Sequence, residues 1–192
     1  MKRLELDIQC DALAVVEFST MPSGLLATDA ATKASDIEIL FSGTVHPGKF
    51  LLAFGGGVSE TELALNAARR IGRDTLIDSV QLAFPHPHLR SAASATVGDN
   101  EPALLAVETL TIPSLLAGLD RTLKSTLVVL RLLQLADHLG GKSIAVLEGN
   151  LPDIEAASDY LKQDISSLLL SDVQLLRRPT RQFIESFLAS LR

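Results

Sequence analysis

Several residue types are scarce in this chain of 192 residues, and each shortage excludes a class of protein. There is no tryptophan and a single cysteine, Cys10, so no disulfide can form within the chain. No basic tract with interleaved aromatic residues occurs and the formal net charge is −6, which argues against nucleic acid as a partner. No apolar run is long enough to span a bilayer, and residues 1–7 carry charges where a secretory signal needs an apolar core. We therefore expect a cytoplasmic protein with no membrane partner.

The chain is rich in apolar residues, and parts of its sequence occur twice. Hydrophobic residues make up 47% of the chain and the mean hydropathy is +0.29, so we expect some apolar surface to meet a partner. Matching pairs follow each other in the same order in both halves, displaced by 91 residues at first and by 93 later. The pairs are Val16-Glu17 with Val107-Glu108, Lys33 with Lys124, Gly48-Lys49 with Gly141-Lys142, and Val80-Gln81-Leu82 with Val173-Gln174-Leu175. This order indicates a tandem duplication.

A small, polar segment with glycine and proline separates the two copies and is typical of a linker. We therefore predict a first domain over residues 1–92, a linker over 93–102 and a second domain over 103–192. A domain of about 90 residues buries a modest core, so association between domains or chains would add stability.

Each copy has the pattern of alternating strands and helices expected of an α+β domain. In the first copy, apolar runs predict strands over Ala12–Phe18, 37–41, 50–54 and 75–82. Pro22 suits the first turn of a helix that carries Leu25, Leu26, Ala30 and Ala34 on one side. The order β-α-β-β-α-β predicts a ferredoxin-like fold, with both helices on one face of the sheet.

The second helix of this unit is predicted from a capping box and a helical apolar pattern. Ser59-x-x-Glu62 has the capping-box spacing. The apolar residues that follow at helical intervals are Leu63, Ala64, Ala67, Ala68 and Ile71.

Taken in order, these features resemble the tandem-domain shell proteins of bacterial microcompartments. The marks are the Val16-Glu17 strand, the helix with Lys33 followed by a β-branched strand, the hairpin turn, and Phe84-Pro-His-Pro-His88. The resemblance covers nearly the whole chain in unpermuted order. The stretch Thr44-Val-His-Pro-Gly-Lys-Phe-Leu-Leu52 is most similar to the propanediol-utilisation type. The resemblance to this family implies a trimer of two-domain chains that forms a pseudo-hexameric tile.

In that family the hairpin turns point at the tile axis, which gives two segments of this chain an implied role. A trimer would gather three copies of His46-Pro47-Gly48 and three of Leu139-Gly140-Gly141 around one pore for small metabolites. Glycine lets the backbone approach the axis closely, and Pro47 limits how its turn collapses. From the residues alone, an ordinary hairpin turn with a solvated histidine is the competing interpretation.

The resemblance also bears on cofactors. Where relatives of the propanediol-utilisation type have a pore cysteine that holds an iron-sulphur cluster, this chain has His46, and Cys10 lies at the start of the first strand. We therefore expect no iron-sulphur cluster. Three His46 imidazoles on one axis would suit a divalent metal such as zinc, with water completing the site, although three such rings need no metal. We expect no other cofactor.

Tile edges matter as much as the pore in such a protein. By resemblance, Lys33 and Lys124 are expected to pack against neighbouring tiles, and His86 and Arg178 to occupy the position of the family's edge arginine. Histidine lacks the guanidinium fork, which weakens that role for His86. Solvated surface charges are the alternative for each of these residues.

Three function classes remain open on this evidence. The first is a structural shell tile, a homotrimer that contacts other shell proteins edge to edge and admits metabolites through its pore. The second is a shell trimer that carries a metal or redox centre, and the third is a soluble trimeric sensor that binds a ligand between subunits. Because no nucleophile, base and orienting group are ordered together, we predict no enzymatic activity.

Overall fold

The computed structural model describes residues 9–90, 103–136 and 139–190, which fold into two domains of similar architecture. The predicted linker over 93–102 lies outside the described residues. None of the described helices is both long and apolar enough to cross a membrane. In the first domain the elements are β1 (Ala12–Phe18), α1 (Met21–Ala34), β2 (Glu38–Val45), β3 (Lys49–Gly56), α2 (Val58–Ile71), β4 (Leu76–Ala83) and α3 (Pro87–Arg90). In the second they are β5 (Ala103–Thr109), α4 (Ile112–Ser125), β6 (Val129–Leu135), β7 (Ser143–Gly149), α5 (Leu151–Asp164), β8 (Leu170–Leu176) and α6 (Arg181–Ser190).

Each domain contains one four-stranded sheet in which neighbouring strands are antiparallel. The strand orders are β2-β3-β1-β4 and β6-β7-β5-β8. Helices α1 and α2 contact the first sheet, and α4 and α5 contact the second. This confirms the predicted pair of ferredoxin-like β-α-β-β-α-β units.

The first sheet is buried on both faces, which explains why β1 has no polar-apolar alternation. Ala14, Val16 and Phe18 pack against α1 and α2 in one core. Leu13 and Val15, on the opposite face, join a second core to which helix α4 of the other domain contributes. The first sheet therefore supplies a surface on which the second domain rests.

The buried face of helix α1 differs from the prediction. Gly24, Ala27 and Ala31 are buried, whereas Leu25 and Leu26 are exposed. Gly24 faces the Phe50 ring so closely that an added Cβ would lie 2.1 Å from that side chain. Small residues thus let α1 approach the sheet, and the larger leucines point away from it.

The predicted start of helix α2 is also wrong. Gly57 is the N-cap and makes no side-chain cap, so Ser59 lies inside the helix and forms no capping box. Ala64, Ala67 and Ala68 are buried as predicted, but Leu63 and Ile71 are exposed. The sequence analysis assigned no helix to α3 or α6.

Strand register corrects the alignment of the two copies beyond β7. Glu17 pairs with Asp78, and Glu108 pairs with Asp172. Asp172 therefore corresponds to Asp78, a displacement one residue larger than the sequence match between Val80 and Val173 implied.

Candidate functional site

The two hairpin turns predicted to line a pore lie against each other in one chain. The first turn occupies His46, Pro47 and Gly48, between β2 and β3. A Cβ atom on Gly141 of the second turn would lie 2.5 Å from Cδ of Pro47 and 2.7 Å from the carbonyl oxygen of His46. Gly141 also has a φ of 82°, in the left-handed region that favours glycine. The structure thus brings the predicted turns together, with the His46 side chain exposed.

Lys49, directly after the first turn, binds groups from both domains. Its ammonium group donates hydrogen bonds to Glu17 Oε2 at 2.9 Å, to the carbonyl oxygen of Leu110 at 2.7 Å and to that of Gly141 at 3.3 Å. The sequence drew attention to Lys49 only as part of the repeated Gly-Lys turn. The missed signal was Glu17 in an otherwise apolar strand, because a buried carboxylate requires a partner.

Glu17 and Asp78 accept hydrogen bonds from the start of helix α4. Glu17 is fully buried, and its Oε1 accepts the backbone N–H of Ile112 at 2.6 Å. The hydroxyls of Thr111 and Ser114 donate to Asp78 Oδ2 at 2.5 and 2.6 Å. Both carboxylates thus lie at the positive end of the α4 dipole. We call the following six residues the domain boundary: Glu17, Lys49, Asp78, Thr111, Ile112 and Ser114.

Burial has a measurable consequence for the Glu17 carboxyl. Removal from water raises its pKa above the usual 4.5, and the Ile112 N–H and Lys49 offset part of that rise. Donors from both domains thus favour the charged form and act against the effect of burial.

The start of helix α4 is buried at this boundary, whereas the start of its counterpart α1 is exposed. Ile112 and Leu116 are 0% and 1% exposed, and the corresponding residues Met21 and Leu25 are 48% and 50% exposed. Thr111 caps α4 by accepting the Ser114 N–H, but Thr20 provides no side-chain cap for α1. Similar sequences therefore form one covered helix start and one open one.

The second domain carries its own copy of the carboxylate face. Glu108 accepts hydrogen bonds from Lys142 and Ser171, both at 2.7 Å, and Asp172 beside it is exposed. The hydrogen bonds from Lys142 and Ser171 lower the pKa of Glu108 below its usual 4.5. Glu108 is only partly buried within the chain, in contrast to Glu17.

Of the two predicted edge lysines, Lys33 is the more exposed. It pairs with Asp29 at 2.6 Å and its side chain is 73% exposed. Lys124 makes the same pairing with Asp120 at 2.6 Å but also donates to the Ala83 carbonyl oxygen of the first domain at 3.1 Å. Lys124 therefore helps to join the domains, and an edge role for either lysine stays a prediction.

The predicted equivalence of His86 and Arg178 does not agree with the strand register. His86 lies beside α4, where its backbone N–H donates to Asp120 Oδ1 at 2.7 Å. Arg178 corresponds instead to Phe84, since each lies six residues after the paired aspartate, has a positive φ and precedes a proline. Burial and the neighbouring His88 lower the pKa of His86 below its usual 6.5.

The described residues of a single chain do not form a cluster of metal-binding side chains. In the part of the chain that the structure describes, no group of three or more histidine, cysteine, aspartate or glutamate side chains is arranged to hold an ion. The Cys10 thiol donates to the carbonyl oxygen of Ala12 at 2.9 Å. A His46 site would need side chains from three chains and stays a prediction, as does the expectation of no iron-sulphur cluster.

Comparison with known proteins identifies relatives among bacterial microcompartment shell proteins. The model of the BMC domain matches residues 12–87. The bacterial microcompartment shell protein PduT of Citrobacter freundii is 31% identical over 147 residues, which cover 76% of this chain and 80% of PduT.

Solved structures extend this similarity to both domains. A microcompartment protein from Desulfitobacterium hafniense superposes with a TM-score of 0.72 at 25% identity, over 92% of this chain and 99% of that one. A double-ringed trimeric shell protein of the RMM microcompartment shares the fold, with a TM-score of 0.58 at 15% identity over 82% and 84% of the two chains.

Proposed function

The chain belongs to the family of bacterial microcompartment shell proteins, and we propose that it forms a homotrimeric tile with a metabolite pore on its three-fold axis. It consists of two tandem microcompartment domains and is a structural component of the shell, not an enzyme. Shell proteins assemble into oligomeric tiles with other shell proteins, so the partners of this chain include further shell components. Family membership favours the tile over a soluble sensor.

The trimer is supported by the fact that the two domains meet head to tail, through two different surfaces. The first domain offers the outer face of β1 and β4, and the second domain offers helix α4. The remaining equivalents are α1 and the β5–β8 face, which form no comparable packed contact with each other among the described residues of the chain. Such a head-to-tail contact closes into a ring when the rotation per unit divides a full turn. Three chains of two domains would form a ring of six similar domains.

The contact between the two hairpin turns supports the pore. Repeating the chain around a three-fold axis would place all six turns in one circle, with His46 and Gly140 alternating around the opening. The solvent-exposed His46 side chain would then lie on the rim, near the small Gly140 and Gly141. Pore width and the chemistry of its lining decide which metabolites pass.

Light scattering coupled to size-exclusion chromatography, followed by electron microscopy of concentrated protein, tests this proposal. We expect a particle of about three times the 20.5 kDa chain mass, which forms flat sheets with a repeating pseudo-hexagonal outline at high concentration. A monomer at every concentration would overturn the tile proposal.

A further inference from the structure

The second domain has an open acidic surface that matches one already occupied in the first domain. We call Glu108, Lys142 and Asp172 the open carboxylate face. We infer that this face binds the first turn of helix α1, residues 20–23, of a second copy of the chain. The inference rests on the proposed trimer, to which it adds the specific contact between chains.

Each member of the open carboxylate face has a counterpart whose partner is visible within the chain. By strand position, Glu108 corresponds to Glu17 and Asp172 to Asp78, and Lys142 follows the second hairpin as Lys49 follows the first. In the first domain this set accepts an N–H and two hydroxyls from α4 and donates to a carbonyl. The open face therefore carries the same acceptors and the same ammonium donor.

Helix α1 supplies the complementary groups in the same order as α4. Thr20, Met21 and Ser23 correspond to Thr111, Ile112 and Ser114, so each hydroxyl and each backbone N–H recurs. Within the chain, the Thr20 hydroxyl donates a 3.1 Å hydrogen bond to the Ser23 hydroxyl, and this pair is exposed. Both hydroxyls can turn toward an incoming carboxylate.

Charge and apolar contact favour the same orientation. The start of α1 has the positive end of a helix dipole and no acidic residue in its first turn, and it would face two carboxylates. Met21 and Leu25 are half exposed and occupy the places of the buried Ile112 and Leu116. Ring closure would thus cover apolar surface that the single chain leaves in water.

The inferred contact has three elements. Glu108 accepts the backbone N–H of Met21 from the next chain, and Asp172 accepts the hydroxyls of Thr20 and Ser23. Lys142 donates to the carbonyl oxygen of Ser19, the counterpart of Leu110. All three repeat contacts that join the domains within one chain.

Two variants that damage opposite sides of the contact provide the test. The first, Asp172→Lys, puts a cation against the positive end of α1. The second, Met21→Asp, puts a carboxylate against Glu108. Both positions are exposed in the chain, so each variant is expected to fold, and circular dichroism checks this. Glu62→Lys, exposed on α2, is the control that should remain trimeric.

Each variant alone should be monomeric under conditions where the wild type is trimeric, with association weakened on the order of tenfold or more. Mixed in equal amounts, the two variants should form a dimer and no trimer, because only one intact pair of surfaces is available. This dimer is specific to a head-to-tail contact.

The outcomes separate the contact from the tile. If the wild type is trimeric and either variant stays trimeric, the contact is wrong although the trimer stands. Two monomeric variants that give no dimer on mixing also overturn the contact. A wild type that is monomeric throughout overturns the tile proposal itself.

Discussion

The Lys49 ammonium group donates a 2.7 Å hydrogen bond to the carbonyl oxygen of Leu110, across the boundary between the two domains. The same ammonium group neutralises the buried Glu17 carboxylate. One side chain therefore links the strand behind a hairpin turn, the buried carboxylate and the start of the next domain's first helix. Residues at this boundary offer the most direct tests of the structure.

Replacing Lys49 by methionine should strongly destabilise the protein. The change keeps the length of the side chain but leaves Glu17 buried without its cation. Loss of one partner of a buried ion pair costs about 3–5 kcal/mol. Urea unfolding measures this free energy. Lys33→Met, at an exposed ion pair, is the matched control and should cost about 1 kcal/mol or less. Similar losses in the two variants would contradict the buried role of Lys49.

The raised pKa of Glu17 predicts a characteristic pH dependence. Because the folded protein holds the Glu17 proton more tightly than the unfolded chain does, this group favours folding below its usual pKa of 4.5. That contribution is lost as pH rises through the higher folded pKa. The stability of the wild type relative to Glu17→Gln should therefore fall as pH is raised from 4.5, measured by urea unfolding. A relative stability that increased with pH would show that the folded pKa is lowered instead.

Gly141→Ala should destabilise the chain more than Gly140→Ala. Both glycines have a positive φ, so each alanine incurs backbone strain of about 1–2 kcal/mol. Only the Gly141 methyl group would also collide with Pro47 and His46, since no described atom lies within 4 Å of a Cβ on Gly140. The difference between the two melting curves isolates the contact between turns. Equal effects would mean that the turns do not touch.

Lys33→Glu should leave the trimer intact and abolish the assembly of trimers into sheets. Lys33 is exposed, and the substitution reverses the charge where a neighbouring tile is expected to pack. Electron microscopy of concentrated protein provides the measurement, with Lys162→Glu, in the last turn of α5, as the control that keeps sheet formation. Lys124→Glu is unsuitable because it would set a carboxylate beside Asp120 within the chain. Dissociation of the Lys33→Glu trimer would place Lys33 on a different surface.

His46→Ala should raise the conductance of the pore. Removing three imidazole rings from around one opening would widen it, because pore width and lining decide which solutes pass. Bilayer recordings of isolated trimers at one fixed pH compare the variant with the wild type. Equal conductance would show that His46 does not control passage. A metal that co-purifies with the wild type alone would favour the metal site.

The order of strands and helices could be predicted from the sequence because it depends on local patterns. Ala12–Phe18 is an apolar, partly β-branched run, and Pro22 fits the first turn of α1, as observed. The buried side of α1 could not be predicted in the same way. Leu25 and Leu26 suggest a core face by hydrophobicity, but the residues buried against the sheet are the small Gly24, Ala27 and Ala31.

The candidate site was partly predictable. The repeated Gly-Lys turns marked the positions where the domains meet, but the role of Lys49 depends on Leu110 and Gly141, far away in sequence. The alignment of Arg178 with His86 failed because the strand register, shown by the pairing of Glu108 with Asp172, depends on contacts far apart in sequence. Long-range contacts of this kind leave no local pattern.

The covalent link between the two domains changes how a ring of this kind assembles. The boundary of Glu17, Lys49 and Asp78 with α4 forms inside each chain, at an effective concentration that dilution cannot lower. The inferred contact between chains would depend on protein concentration. Three of the six boundaries in the proposed trimer would thus exist before any two chains meet, so assembly would be a three-body reaction and not a six-body one.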